Sequence, residues 1–338
     1  MKSVLIVTDA WHPQINGVVR SLERVTEIMT ARGIDVKFLT PLEFATVPFP
    51  GYGEIRLSMT TQGTIDKKID AAQPDAIHIA TEGPLGYGAR HYCMKRKLEF
   101  STSYHTQFPE YLRARLPIPT KWTYPIMIRF HKPAKYCLVP TKSMADHLTR
   151  KGFTNCVIWD RGVDTALFHP ARRVESGPEF PWPRPYFLYV GRVAVEKNIE
   201  QFLKLDLPGT KLVVGEGPSR KALTAAYPKV VFLGPRQGEE LARFYASADC
   251  FVFPSRTDTF GLVLLESLAA GTPVAALPVT GPIDVVGGSD VAVLSEDLRS
   301  AALEAINIPR DKCRAYAAKF SWAHSTDQFM QYLPEIVR

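Results

Sequence analysis

Residues 250–278 constrain this chain more than any other stretch: Cys-Phe-Val-Phe-Pro-Ser-Arg-Thr-Asp-Thr-Phe-Gly-Leu-Val-Leu-Leu-Glu-Ser-Leu-Ala-Ala-Gly-Thr-Pro-Val-Ala-Ala-Leu-Pro. The apolar run Cys250–Pro254 reads as a strand, Gly261–Ala270 as a helix and Pro273–Leu277 as a second strand. Gly271 stands where a left-handed helix cap is expected, and Pro273 stops the helix from continuing. The unit is βαβ, with its loop at the carboxyl end of a strand, where open α/β sheets bind ligands. The helix is apolar almost all round, so it is expected to be buried, and Glu266 within it needs a polar partner.

The spacing has a mechanical consequence. Free backbone N–H groups over Phe260–Leu262, helped by the helix dipole, form an anion site. Glu266 follows five residues on from Gly261, roughly 7–8 Å along the helix axis. A diphosphate at the helix start would set a ribose near Glu266 and a sugar near Asp258. The plainer alternative is a buried helix whose Glu266 bonds a neighbouring loop and whose Asp258 is only an N-cap.

A chain of 338 residues holds two domains of ordinary size. Val4–Val7, Val36–Leu39, Ala76–Ile79, Phe100–Tyr104 and Cys137–Val139 read as strands, with helices over Arg20–Arg32 and Met144–Arg150. That alternation predicts a parallel sheet with helices on both faces. Phe168–Arg184 is polar, proline-rich and aperiodic, which sets an interdomain linker at 171–185 between domains at 1–170 and 186–318. The second sheet is expected from Tyr186–Val190, Lys211–Val214, Val230–Leu233, Cys250–Phe253 and Val274–Leu277. Its helices lie near Arg220–Ala226, Glu239–Ala246 and Gly261–Ala270. Phe320-Ser-Trp322 opens a last helix, Ala323–Ile336, within 319–338. The fold class is α/β: two Rossmann-like domains facing each other across a cleft.

No run of eighteen apolar residues occurs, so no membrane-spanning helix is predicted, and Val4–Val7 is too short for a signal peptide. Five scattered cysteines without Cys-x-x-Cys spacing suit a cytosolic chain with reduced thiols and no zinc site. Between Arg90 and Lys151 there are thirteen basic residues and three acidic ones, interleaved with aromatics such as Trp122 and Tyr124. Such a block suits an anionic membrane surface, or nucleic acid, or a merely solvated basic face.

Gly191-Arg192-Val-Ala-Val-Glu-Lys197-Asn198 follows the strand Tyr186–Val190. Arg192 and Lys197 leave the same strand end, a guanidinium that grips oxygens bidentately and an ammonium that acts as a point charge. Gly215-Glu-Gly217-Pro-Ser-Arg220 mimics a dinucleotide fingerprint but has Arg220 at its sixth position, which argues against a dehydrogenase. There is no P-loop, and no Asp-x-Asp pair to hold a divalent ion, so a metal-independent mechanism without cofactor is expected. In the first half, Gly17, in Asn16-Gly17, allows close backbone approach to a ligand. His105 lies at the carboxyl end of another strand.

These features together resemble family 4 glycosyltransferases of the GT-B fold, and among them bacterial GDP-mannose-dependent mannosyltransferases and glycosyl-diacylglycerol synthases. The resemblance rests on Gly191-Arg192 with Glu196-Lys197-Asn198, on Asp258 and Glu266 with seven residues between them around Phe260-Gly261, and on Asn16-Gly17. It implies that Arg192 and Lys197 neutralise a donor diphosphate. Backbone amides of Phe260, Gly261 and Leu262, beside Thr259, would contact phosphate and sugar, Glu266 the ribose and Asp258 the sugar hydroxyls. The loop holding Arg236 would lie against the base, His105 near the sugar and acceptor, and the final helix would cross back to the first domain. Asp258 departs from the broader pattern, which has Glu there, and reaches one methylene less.

The resulting expectation is a monomeric retaining hexosyltransferase whose donor is UDP-glucose, UDP-glucuronate or GDP-mannose. Its acceptor would be a membrane lipid such as diacylglycerol, with Arg113, Arg115, Lys121, Trp122, Arg129 and Lys132 forming the membrane face at the inner side of the cytoplasmic membrane. The alternatives are a soluble, polysaccharide or phosphoinositide acceptor, a nucleotide-sugar epimerase, and a nucleic-acid-binding protein.

Overall fold

A computed structural model describes residues 1–14, 16–49, 52–115 and 119–336, apart from a few side chains near 49–55 and 111–115. Its contacts divide the chain into two compact units, Met1–Arg161 with Trp322–Arg338, and Gly162–Ser321.

In the first unit the strands are β1 (Ser3–Val7), β2 (Asp35–Leu39), β3 (Ala45–Phe49), β4 (Tyr52–Met59), β5 (Ala76–Ile79), β6 (Ser101–Ser103), β7 (Tyr136–Val139) and β8 (Cys156–Ile158). Six of them form a parallel sheet in the order β2-β1-β5-β6-β7-β8, and β3 and β4 form an antiparallel hairpin. Both faces are covered, as parallel sheets require. Leu5 and Val7 pack with Leu85, Ala89 and Phe130 on one face, while Val4 and Ile6 pack with Trp159 and Phe329 on the other. The period of two along β1 accounts for that split.

The second unit holds β9 (Tyr186–Val190), β10 (Thr210–Val214), β11 (Val231–Gly234), β12 (Cys250–Phe253), β13 (Val274–Ala276) and β14 (Ala292–Leu294). Their order is β11-β10-β9-β12-β13-β14, the arrangement of a dinucleotide-binding domain, whose strand order reverses between the first and fourth strands. Here those strands are β9 and β12, paired at Cys250 with Phe187 and Phe251 with Leu188.

The stretch before the second sheet and the end of the last helix differ from the sequence reading. The stretch expected as a linker belongs to the second unit: Phe168 and Phe180 are buried in its core, and Arg184 binds Asp249 with 2.8 Å contacts. Prolines and charges gave this stretch its linker appearance, yet its aromatic residues are its anchors. The last helix runs over Trp322–Gln331 rather than to Ile336, because Pro334 disfavours helical backbone just before it. That helix returns to the first unit, where Phe329 is fully buried. The hairpin β3–β4 and the strands β8 and β14 carried no pattern strong enough to be read.

Candidate active site

The two loops that sequence singled out leave neighbouring strands on the same side of the second sheet. Arg192 and Lys197 follow β9, and Asp258 follows β12. Asn198, at φ +50°, donates from Nδ2 to Pro254 O at 3.0 Å and so ties one loop to the other. Thr257 Oγ1 adds a second tie, donating to Glu196 O at 3.1 Å. Lys197 Nζ pairs with Asp258 Oδ1, and Arg192 pairs with the buried Glu196 at 3.4 Å. Arg236 pairs with Glu240 at 3.1 Å. Each cation assigned to a donor therefore stands beside a carboxylate of its own unit, which holds the side chain in place.

Beyond Asp258 the chain passes half-buried Thr259 and buried Phe260 to Gly261, which takes φ +90°, and the helix Leu262–Ala269 begins. Only glycine adopts that backbone without strain. No side chain caps this helix, so its first N–H groups are available to a ligand oxygen. Gly281 lets the next helix press against the same loop: a Cβ there would lie 2.9 Å from Asp258 O and 3.0 Å from Phe260 O. Glu266, buried on the apolar helix, accepts a 2.9 Å hydrogen bond from Tyr245 OH. That bond meets the demand for a polar partner, from a neighbouring helix rather than a loop.

Gly215 and Gly217 have a different task from a dinucleotide fingerprint. A Cβ at 215 would lie 1.9 Å from Gly191 O, and one at 217 would lie 2.3 Å from Val193 O. Val193 N also donates to Glu216 O at 2.9 Å. The glycines let this loop lie on the backbone that carries Arg192.

In the first unit, Asn16 Oδ1 caps the helix Gly17–Ala31, accepting from Val18 N at 3.0 Å and Val19 N at 3.1 Å. Asp9, at the end of β1, is buried and accepts from Leu85 N at 2.9 Å and Gly86 N at 3.2 Å, at the start of the helix Pro84–Arg96. Burial pushes its carboxyl up to about 6. His105 follows β6, with Trp159 edge-on at 5.7 Å between ring centres and Arg161 Nη2 at 3.3 Å from Nδ1. Burial, then the Arg161 charge, hold this imidazole well below its ordinary pKa.

The basic block divides by burial. Tyr92, Phe100, Tyr124 and Phe130 are in the core, whereas Trp122 is 64% and Ile126 51% exposed. Both lie on the helix Thr120–His131, whose outward residues are Lys121, Trp122, Pro125, Ile126 and Arg129, with Lys132 just after it. Arg113 is exposed on the helix Phe108–Arg115, and the side chain of Arg115 lies outside the described residues. Among the described residues no helix is long and apolar enough to cross a membrane, and no group of three metal-ligating side chains occurs.

Two family models match this chain: Glycosyltransferase Family 4 over residues 15–167 and Glycosyl transferases group 1 over residues 184–308. The GDP-mannose-dependent alpha-mannosyltransferase of Mycobacterium tuberculosis is 30% identical over 306 residues, 84% of this chain and 81% of the relative. The chain is a family 4 glycosyltransferase. This glycosyltransferase is also 30% identical over 283 residues to the sulfoquinovosyl transferase SQD2 of Arabidopsis thaliana, covering 78% of itself and 55% of the relative. In fold it matches the sucrose-phosphate synthase of Thermosynechococcus elongatus, with a TM-score of 0.74, 20% identity and 98% of each chain covered. Its architecture is GT-B, two Rossmann-like halves, and its class of reaction is hexosyl transfer from a nucleotide sugar.

Sequence reasoning missed two residues that contact the candidate side chains, Arg161 beside His105 in the first unit and Tyr245 beside Glu266 in the second. Both sit outside any short motif that announces them. Only the unexplained acid in an apolar helix signalled Tyr245, by requiring a donor opposite Glu266.

Proposed function

We propose that this glycosyltransferase transfers mannose from GDP-mannose to a lipid acceptor at an anionic membrane surface, with retention of anomeric configuration and without a metal ion. The observation that carries the donor assignment is the strand order. Arg192, Lys197, Asp258 and the uncapped helix start all follow β9 and β12, the pair at which the order of the sheet reverses, and that reversal is where such sheets bind nucleotides. Breaking the bond to the anomeric carbon loads negative charge onto the departing diphosphate. Preorganised cations and N–H groups there lower the barrier, each typically worth on the order of 100- to 1000-fold in rate. Glu266 is assigned to the ribose, Asp258 to the donor sugar, the Arg236 loop to the base, and His105 to the sugar or acceptor. The GDP-mannose-dependent relative favours that donor over UDP-hexoses.

The acceptor assignment rests on the helix Thr120–His131. A surface helix normally turns its polar face to water. This one turns Trp122, Pro125 and Ile126 outward, between Lys121 at one end and Arg129 and Lys132 at the other. An aromatic and an aliphatic side chain framed by cations match the interface of an anionic bilayer.

Thermal shift with GDP-mannose, UDP-glucose, UDP-galactose and UDP-glucuronate tests the donor, with GDP-mannose expected to stabilise most. Unchanged binding in both Lys197→Ala and Glu266→Ala would overturn the donor site. Flotation with phosphatidylglycerol liposomes tests the surface: the wild type is expected to float, and Trp122→Ser/Ile126→Ser and Arg113→Glu/Lys121→Glu to remain below. Full activity on soluble sugars by a protein that ignores liposomes would replace the lipid with a soluble acceptor.

A further inference from the structure

The imidazole of His105 is gripped by a residue outside the recognised motifs. Arg161, 4% exposed, lies three residues beyond the end of β8 and packs its guanidinium 3.9 Å from the centre of the Trp159 ring. Nη1 donates to Trp159 O at 2.6 Å and to Asp160 O at 3.0 Å, while Nη2 points at His105 Nδ1 from 3.3 Å. A guanidinium has only donors to offer, so Nδ1 is the acceptor in this contact and the ring proton resides on Nε2. Burial lowers the Arg161 pKa to about 9, which leaves it charged at neutral pH.

We propose that Arg161 is a positioning residue that fixes His105 as the neutral Nε2–H tautomer, so that the ring serves as a hydrogen-bond donor and neither as a base nor as a cation. The charged and titratable groups whose fields act on the ring include Arg161 from beyond β8, His78 on β5 and His131 on the helix Thr120–His131, and each of these three disfavours an imidazolium. Glu82 contacts His131 at 3.1 Å.

The grip is anchored by the returning C-terminal helix. Trp159 Nε1 donates to Ser325 O at 3.1 Å and to Ser325 Oγ at 3.0 Å. Ser325 Oγ donates to Asp160 O at 2.7 Å, and Asp160 N donates to Gln328 Oε1 at 2.8 Å. Helix Trp322–Gln331 thus holds Trp159 and Asp160, these hold Arg161, and Arg161 holds His105. The catalytic consequence of this chain of contacts rests on assigning His105 to the sugar or acceptor.

Long-range proton–nitrogen spectra of the full chain, labelled with 15N-histidine and recorded from pH 5.5 to 8, test the proposal. The ring is assigned by the signals that vanish in His105→Asn. The expected result is the Nε2–H pattern with no titration across that range. A proton on Nδ1, or titration near pH 6.5, in the wild type would overturn the proposal without any variant of Arg161. Arg161→Met is expected to bring His105 titration into the range, and Arg161→Lys to restore the wild-type pattern at least in part. With GDP-mannose, release of GDP by Arg161→Met should fall on the order of 100-fold, as expected for a misplaced reacting partner, with a new acid limb in its pH profile. If the spectra are as expected but His105→Ala keeps full turnover, the tautomer assignment stands and the assignment of His105 to the sugar falls.

Discussion

Lys197 and Asp258, 61 residues apart, form an ion pair between the loops that follow β9 and β12, each about one-fifth exposed. The pair keeps the ammonium poised where the proposed diphosphate arrives. Lys197→Ala removes that charge and leaves a half-buried carboxylate without its counter-ion. Transfer from GDP-mannose is expected to fall on the order of 100- to 1000-fold. Because the two side chains touch, Lys197→Ala/Asp258→Asn should lose less activity than the two single changes summed. Steady-state kinetics of the four forms checks both statements.

Tyr245→Phe takes the hydroxyl from a buried carboxylate. Glu266 Oε2 then loses a 2.9 Å hydrogen bond, at a cost of about 1–3 kcal/mol. Urea unfolding followed in the second unit should show the loss. GDP affinity should fall less than in Glu266→Ala, since the carboxylate itself remains.

Gly215→Ala is expected to be severe. Its new Cβ would lie 1.9 Å from Gly191 O, and the residue occupies φ +145°. Backbone must move to relieve that contact, and the backbone in question carries Arg192. Reduced soluble yield, and weaker GDP binding in whatever protein folds, are the outcomes to measure.

Acid should weaken the first unit through His78. This buried ring lies between Ser101 Oγ and Ser103 Oγ, both at 2.9 Å. Burial, then Arg161, lower its pKa from 6.5 to about 3. The unfolded chain takes up a proton below 6.5 while the native ring stays neutral, so this contribution is complete above 6.5 and lost as pH falls toward 3. At pH 5 the loss is about 2 kcal/mol from this group alone. His105, shifted in the same direction, adds to it. Denaturation midpoints between pH 7.5 and 5 should drop, with a shallower slope in His78→Gln.

Sequence alone determined the two parallel sheets, because Val4–Val7, Tyr186–Val190 and Cys250–Phe253 are apolar runs bounded by turn residues, a pattern set by local backbone period and burial. It set the helix start to within one residue, Leu262 against the expected Gly261, and the left-handed Gly271, at φ +77°, since glycine conformations are encoded residue by residue. It also isolated Arg192, Lys197, Asp258 and Glu266, as charges placed at strand ends or within apolar surroundings. It misjudged the residues near 168–184, because proline and charge resemble a linker until the burial of Phe168 and Phe180 is known.

The partners of those charges were decided by the tertiary structure. Strand order sets β9 beside β12, and only that adjacency brings Lys197 to Asp258. The return of the last helix brings Ser325 to Trp159, 166 residues away, and so steadies Arg161 against His105. Side-chain pairing at such distances depends on register and packing between elements, which no local period in the chain records.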